Sequence, residues 1–161
     1  MKTVLNRLCN IIMTIIIVLG GAYIILNATG VVSVARAKGE SMMPTIQDGQ
    51  LFLVTKVDPD KIEREDIVTA RLETSDGVKL ITKRVIGLPG QHIGVGYSNV
   101  FVDGQWYADD YLLEQGWNDF GIHDTELTLG PDEYYLMGDN RAESWSGVVK
   151  EDDILMKVFL K

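Results

Sequence analysis

Ser41, in the stretch GESMMPT (residues 39–45), is the first side chain whose surroundings suit chemistry. Pro44 discourages a helix there, so the hydroxyl belongs on a turn. A serine hydroxyl is a weak nucleophile until a base takes its proton, and the chain offers two kinds of base. His92 in GQHIG and His123 in GIHDT both sit in glycine-flanked, loop-like contexts. Asp124 adjoins His123, but sequence neighbours in a strand or loop rarely face each other. A lysine is the other kind. It works only as a neutral amine, so burial must depress its pKa by several units. Lys83 lies in KLITKRVIGLPG, a β-branched, apolar stretch. Strand alternation puts Ile81, Lys83 and Val85 on one face and Thr82, Arg84 and Ile86 on the other. Lys83 therefore shares its face with apolar neighbours, while Arg84 is left free to point elsewhere.

A third stretch, MGDNRAES (residues 137–144), reads as a tight polar turn after an apolar strand. Asp139, Asn140 and Arg141 can satisfy backbone groups and one another there. Ser144 follows closely, where a hydroxyl could steer a lysine amine. No metal site is expected, because the histidines have no ligand spacing and Cys9 is the only cysteine. The same count rules out an internal disulfide. No cofactor is called for.

The elements that must position these residues are mostly strands. VVSVARA (31–37), QLFLVTKV (50–57), DIVTARLE (66–73), KLITKRVIGL (79–88), NVFVDG (99–104), EYYLMGD (133–139) and ILMKVFL (154–160) carry apolar runs or period-two alternation bounded by turn residues. TSDG between the third and fourth predicts a hairpin cornered at Asp76-Gly77. DDYLLEQG (109–116) could form a short helical turn. No sustained helical period follows residue 30, so the expectation is a mainly β, all-β domain over 31–161.

Residues 8–26 are different: LCNIIMTIIIVLGGAYIIL contains no charge. About 20 apolar residues cross the hydrocarbon core of a bilayer as a helix. A cleaved secretory signal has a shorter apolar core with its cleavage site close behind. The small-x-small triplet Ala35-Arg36-Ala37 lies too far downstream for that, so a retained anchor is expected. Lys2 and Arg7 precede the span, which favours a short cytoplasmic segment, 1–7, and an extracytoplasmic domain. All 23 acidic residues and all but two of the 15 basic ones follow the span. So acidic a domain argues against a nucleic-acid partner.

SMMPT at 41–45, TKRVIGLPGQ at 82–91 and GDNRAES at 138–144, in that order behind an N-terminal span, together resemble the bacterial type I signal peptidases. FVDGQWYADDYL (101–112) resembles the segment between the second and third boxes. Small size and a single span look like the Gram-positive branch. The resemblance implies a membrane-bound serine endopeptidase, with Ser41 as nucleophile and Lys83 as general base, cutting signal peptides from exported preproteins. Ser144 would orient the Lys83 amine, and Asp139 and Arg141 would support the framework. The nucleophile's own N–H would serve the oxyanion hole. Some relatives add a serine two residues upstream, where this chain has Gly39. Substrates would lie extended between strands near 34–41 and 79–83, with Met42 and Ile81 walling pockets for small residues at the first and third positions before the cut. Membrane lipid, and the secretion translocon or surface-protein assembly machinery, complete the implied partners. The chain departs from the family after Ser144: a Ser-x-Asp-Ser-Arg pattern is replaced by SWSGVVKEDD, without its Asp and Arg. An alternative is therefore an assembly factor for pilus or surface proteins, dedicated or non-enzymatic, on the same fold. A repressor-type self-cleaving Ser–Lys protease fits less well with a membrane span.

Overall fold

A computed structural model describes residues 2–28, 32–96, 99–107 and 125–160. The chain divides into two compact units, Met1–Ser33 and Val34–Lys161. The first is built on one helix, α1 (Lys2–Ala28). Its stretch Asn6–Ile25 is 20 residues long with a mean hydropathy of 2.4, long and apolar enough to cross a membrane. Thr14 returns its hydroxyl to the Asn10 carbonyl at 2.9 Å, so this polar side chain is satisfied within the helix.

Eleven strands follow among the described residues: β1 (Val32–Arg36), β2 (Leu51–Lys56), β3 (Ile67–Thr74), β4 (Gly77–Gly87), β5 (His92–Gly96), β6 (Asn99–Val102), β7 (Gln105–Tyr107), β8 (Thr125–Thr128), β9 (Glu133–Met137), β10 (Gly147–Lys150) and β11 (Ile154–Leu160). A large sheet runs β1-β2-β11-β3-β4-β9-β10, and a small one runs β7-β6-β5-β8. The mainly β expectation holds. β5, β7, β8 and β10 were not foreseen. The segment 109–116, expected as a helical turn, lies outside the described residues.

The turn expected at TSDG is a hairpin, with one correction. The β3/β4 ladder extends to a Thr74↔Gly77 pair. The corner is therefore Ser75-Asp76, and Gly77, at φ +111°, begins β4. At Asp103-Gly104 both residues have positive φ, +51° and +76°. That is the geometry of the two-residue turn whose twist matches its strands, and it closes β6 onto β7 through Val102↔Gln105.

β4 decides where the site lies. Among the described residues its first half pairs only with β3, and the β9 ladder begins at Arg84↔Met137. Where β4 is flanked on both edges it is also buried on both faces. Val85 joins Val68 and Leu136 in one apolar cluster. Ile86 joins Tyr135 and Met137 against Ile93, Val95 and Val100 of the small sheet, which docks the two sheets. Gly87 permits that docking, since a Cβ there would lie 2.6 Å from the Ile93 side chain. A third cluster, Met42, Ile46, Phe52, Val54 and Ile67, lies under the Ser41 turn and anchors it to β2 and β3.

Candidate active site

Ser41 opens a tight turn. The Met43 N–H donates to the Glu40 carbonyl at 3.0 Å and the Ile46 N–H to the Met42 carbonyl at 2.8 Å. Buried Met42 and Ile46 point this turn into the third cluster, which leaves the half-buried Ser41 on the wall of a cleft of about 260 Å³. Before the turn, the Ala37 N–H donates to the Gln50 carbonyl at 2.9 Å and its own carbonyl accepts from Gly49 at 3.1 Å. The small-x-small triplet therefore ends in a carbonyl already held by its neighbour.

Lys83 meets Ser41 across the cleft, its Nζ 2.6 Å from the Ser41 Oγ. Strand register explains the approach: Lys83 pairs with Val68, and its side chain is only 4% exposed. Burial, partly offset by the Asp139 carboxylate, brings the amine down to about 8. At pH 7 that leaves about one molecule in ten with a neutral amine, against fewer than about one in a thousand at the ordinary value. A neutral amine at this distance can accept the serine proton.

Arg84 corrects an expectation. It does not point away from the site. It is buried, and its Nε and Nη2 grip the two oxygens of fully buried Asp139 at 2.9 and 2.5 Å. Nη1 also donates to the Glu65 carbonyl at 3.1 Å, and Nη2 to the Thr45 Oγ1 at 3.3 Å. One guanidinium thus ties the serine turn, the entry to β3 and the Gly138-Asp139 turn together. The two-pronged grip suits arginine's planar fork. Arg141 is buried too, and its Nε donates to the Gly138 carbonyl at 2.9 Å, so it braces the turn from within.

Gly138 is the closest point of approach between this turn and the serine. A Cβ there would overlap both the Ser41 carbonyl oxygen and the Ser144 Oγ. Ser144 therefore reaches the serine's vicinity, and its hydroxyl donates to the Trp145 carbonyl at 3.1 Å. Asn140 went without a specific role in the sequence reading, yet it holds the serine turn twice. Its backbone N–H donates to the Ser41 carbonyl at 3.1 Å and its Nδ2 to the Glu40 carbonyl at 3.2 Å.

Gly39, Met42 and Ile81 all line the cleft. Gly39 adopts φ +90°, which favours glycine. Its N–H is taken by the Asp48 carboxylate at 2.7 Å. His92 lies on the small sheet, with its ring nitrogens 3.0 Å from the Thr128 hydroxyl and 3.0 Å from the Glu126 carboxylate. His123 lies outside the described residues. Among the described residues, no cluster of three or more His, Cys, Asp or Glu side chains is arranged to hold a metal.

Comparison with known proteins bears on this arrangement. The family described as "Signal peptidase, peptidase S26" matches residues 7–161. The chain belongs to that family. Signal peptidase I P of Bacillus subtilis subsp. natto is 36% identical over 118 residues, 66% of this chain and 61% of that one. Signal peptidase I of Bacillus caldolyticus is 33% identical over 137 residues, covering 75% and 74%. The match thus spans less than two thirds of the first relative. The crystal structure of a signal peptidase I from Enterococcus faecalis V583 aligns with a TM-score of 0.51 at 24% identity. It covers 62% of this chain and 97% of its own, and so shares the fold. α1 is an N-terminal helix long and apolar enough to serve as a membrane anchor.

Proposed function

We propose that this protein is a membrane-anchored endopeptidase that removes N-terminal signal peptides from exported preproteins, with Ser41 as nucleophile and Lys83 as general base. The observation that carries the proposal is the 2.6 Å contact between a serine oxygen and a buried amine whose pKa is pushed down to about 8. Neutral Lys83 takes the hydroxyl proton as the Ser41 Oγ attacks the scissile carbonyl carbon. The tetrahedral intermediate collapses to an acyl-enzyme as Lys83 gives that proton to the departing amine. Water, activated by the same amine, then releases the signal peptide. Ser144 is the candidate for orienting the amine. The Arg84–Asp139 pair and Arg141 hold the frame.

The substrate would lie extended in the cleft. β1 is the edge strand of the large sheet, and among the described residues β4 before Arg84 has no partner on its β9 side. Free strand edges invite pairing with an extended peptide. Gly39 brings the backbone close to the substrate, while Met42 and Ile81 limit the space beside it, which favours small side chains next to the cut. Lys2 and Arg7 would keep the amino terminus in the cytoplasm, with the β domain outside. Lipid and the export machinery would then be its neighbours.

The test is incubation of the full-length protein in detergent with a preprotein, followed by sequencing of the product's new N-terminus. Cleavage after a small-x-small triplet is expected, rising with pH on a limb with its midpoint near 8. Ser41→Ala and Lys83→Ala are each expected to abolish it with the fold intact. Near-normal turnover by Lys83→Ala would remove the dyad. No cleavage of any preprotein by the wild type would favour the assembly-factor alternative.

A further inference from the structure

The peptide group joining Glu40 to Ser41 is held more firmly than a turn requires. A carbonyl oxygen can accept two hydrogen bonds, and the Glu40 carbonyl accepts two: from the Met43 N–H at 3.0 Å and from the Asn140 Nδ2 at 3.2 Å. The first is the ordinary closure of the turn. The second comes from a side chain 100 positions away in sequence. Only the amide nitrogen of Asn140 can face a carbonyl, so its orientation follows from its partner.

In a planar trans peptide the N–H points opposite to the C=O. Two donors on the Glu40 carbonyl therefore fix the direction of the Ser41 N–H. No acceptor among the described residues takes that N–H, while the serine itself lines the cleft. Neighbouring backbone is committed elsewhere. The Gly39 N–H is spent on Asp48, and the Ser41 carbonyl accepts from the Asn140 backbone. Were this peptide to turn over, the Glu40 carbonyl would swing towards the reacting centre and repel a developing negative charge.

We propose that Asn140 is a positioning residue: its side-chain amide pins the Glu40–Ser41 peptide so that the Ser41 N–H stands ready to donate to the oxyanion of the tetrahedral intermediate. This rests on the proposed serine peptidase activity. The pin acts before substrate arrives, which is where electrostatic stabilisation is most effective. It also polarises the donor, since a peptide accepting two bonds at its oxygen donates more strongly at its nitrogen. The role is separate from that of Lys83, because Asn140 is neutral and grips backbone rather than the amine.

The experiment compares full-length wild type, Asn140→Ala and Asn140→Leu in detergent. Both substitutions remove the side-chain donor without adding charge, and both keep the backbone N–H that holds the Ser41 carbonyl. Outright loss of an oxyanion donor lowers kcat by a factor of about 100 or more. Loosening one that remains is expected to lower it about tenfold. KM should stay within about twofold and the midpoint of the pH limb should not move. Affinity for a peptide aldehyde, whose hemiacetal with Ser41 mimics the intermediate, should fall by the same factor as kcat/KM, while affinity for the product peptide holds. Should the leucine variant melt below the assay temperature, the smaller alanine gives the reading. Unchanged kcat overturns the proposal. So does an equal loss of aldehyde and product affinity, which would mark a merely structural residue. A wild type that cleaves nothing sinks the peptidase reading itself, and the proposal with it.

Discussion

Lys83 should destabilise the fold it serves, and Lys83→Met measures by how much. Its amine falls from the ordinary 10.5 to about 8, chiefly through burial. At 1.36 kcal/mol per pKa unit, holding the proton in the folded state costs about 3 kcal/mol. Below pH 8 folded and unfolded chains are both protonated, so the whole penalty is present. Between 8 and 10.5 the folded state has lost its proton while the unfolded chain keeps one, so stability rises with pH across that window. Above 10.5 the penalty is gone. Methionine has similar length and no charge, so it removes the penalty. It also loses the bond to the Ser41 Oγ, worth about 1 kcal/mol. The variant should therefore be more stable than wild type by about 2 kcal/mol at pH 7, against a total of about 5–15 kcal/mol for a typical domain.

The assay is urea unfolding of full-length protein in mild detergent, followed by tryptophan fluorescence from pH 6 to pH 10. The difference between variant and wild type isolates Lys83 from other groups that titrate in base. It should be flat up to about pH 8, then shrink and turn slightly negative as 10.5 is approached. The variant should also cleave nothing. A Lys83→Met protein less stable than wild type at pH 7, or a difference independent of pH, would refute a buried, depressed amine.

Two further outcomes follow from the same geometry. Gly138→Ala places a Cβ onto the Ser144 Oγ and the Ser41 carbonyl oxygen, so kcat should fall at least about a hundredfold, with a thermal midpoint at least several degrees lower; wild-type kinetics would show that the two turns do not touch. Arg84→Met and Asp139→Asn each remove one partner of the buried pair and should each cost about 3–5 kcal/mol in urea unfolding. Their residual activities should move in opposite senses: the pH midpoint falls in Asp139→Asn, which loses the anion that raises Lys83, and rises in Arg84→Met, which leaves that anion unopposed. Shifts of the same sign would break the link between the pair and the amine.

The difference between what the sequence reveals and what it hides lies in the range of the interactions. Long strands such as β3, β4 and β11 announce themselves because apolar residues recur at the strand period. β5 does not, since Gly94 and Gly96 leave only Ile93 and Val95 to carry a pattern, and the TELT of β8 carries one leucine. A buried lysine beside apolar residues was legible at Lys83, because its neighbours on the strand supply the burial. Arg84 was misjudged by the same alternation. Alternation says only that Arg84 faces opposite Lys83, and an opposite face is often solvent. Here β9 joins β4 at Arg84 and the small sheet covers Ile86, the next residue on the same face, so both faces become interior. A guanidinium held there needs a carboxylate, and Asp139 supplies it from 55 positions away. One signal was available in advance: a charge followed at once by Val85 and Ile86, where no face was free to be wet. Applied at Arg84, that reasoning asks for an acid on the adjoining turn. Asp139 is the acid on that turn.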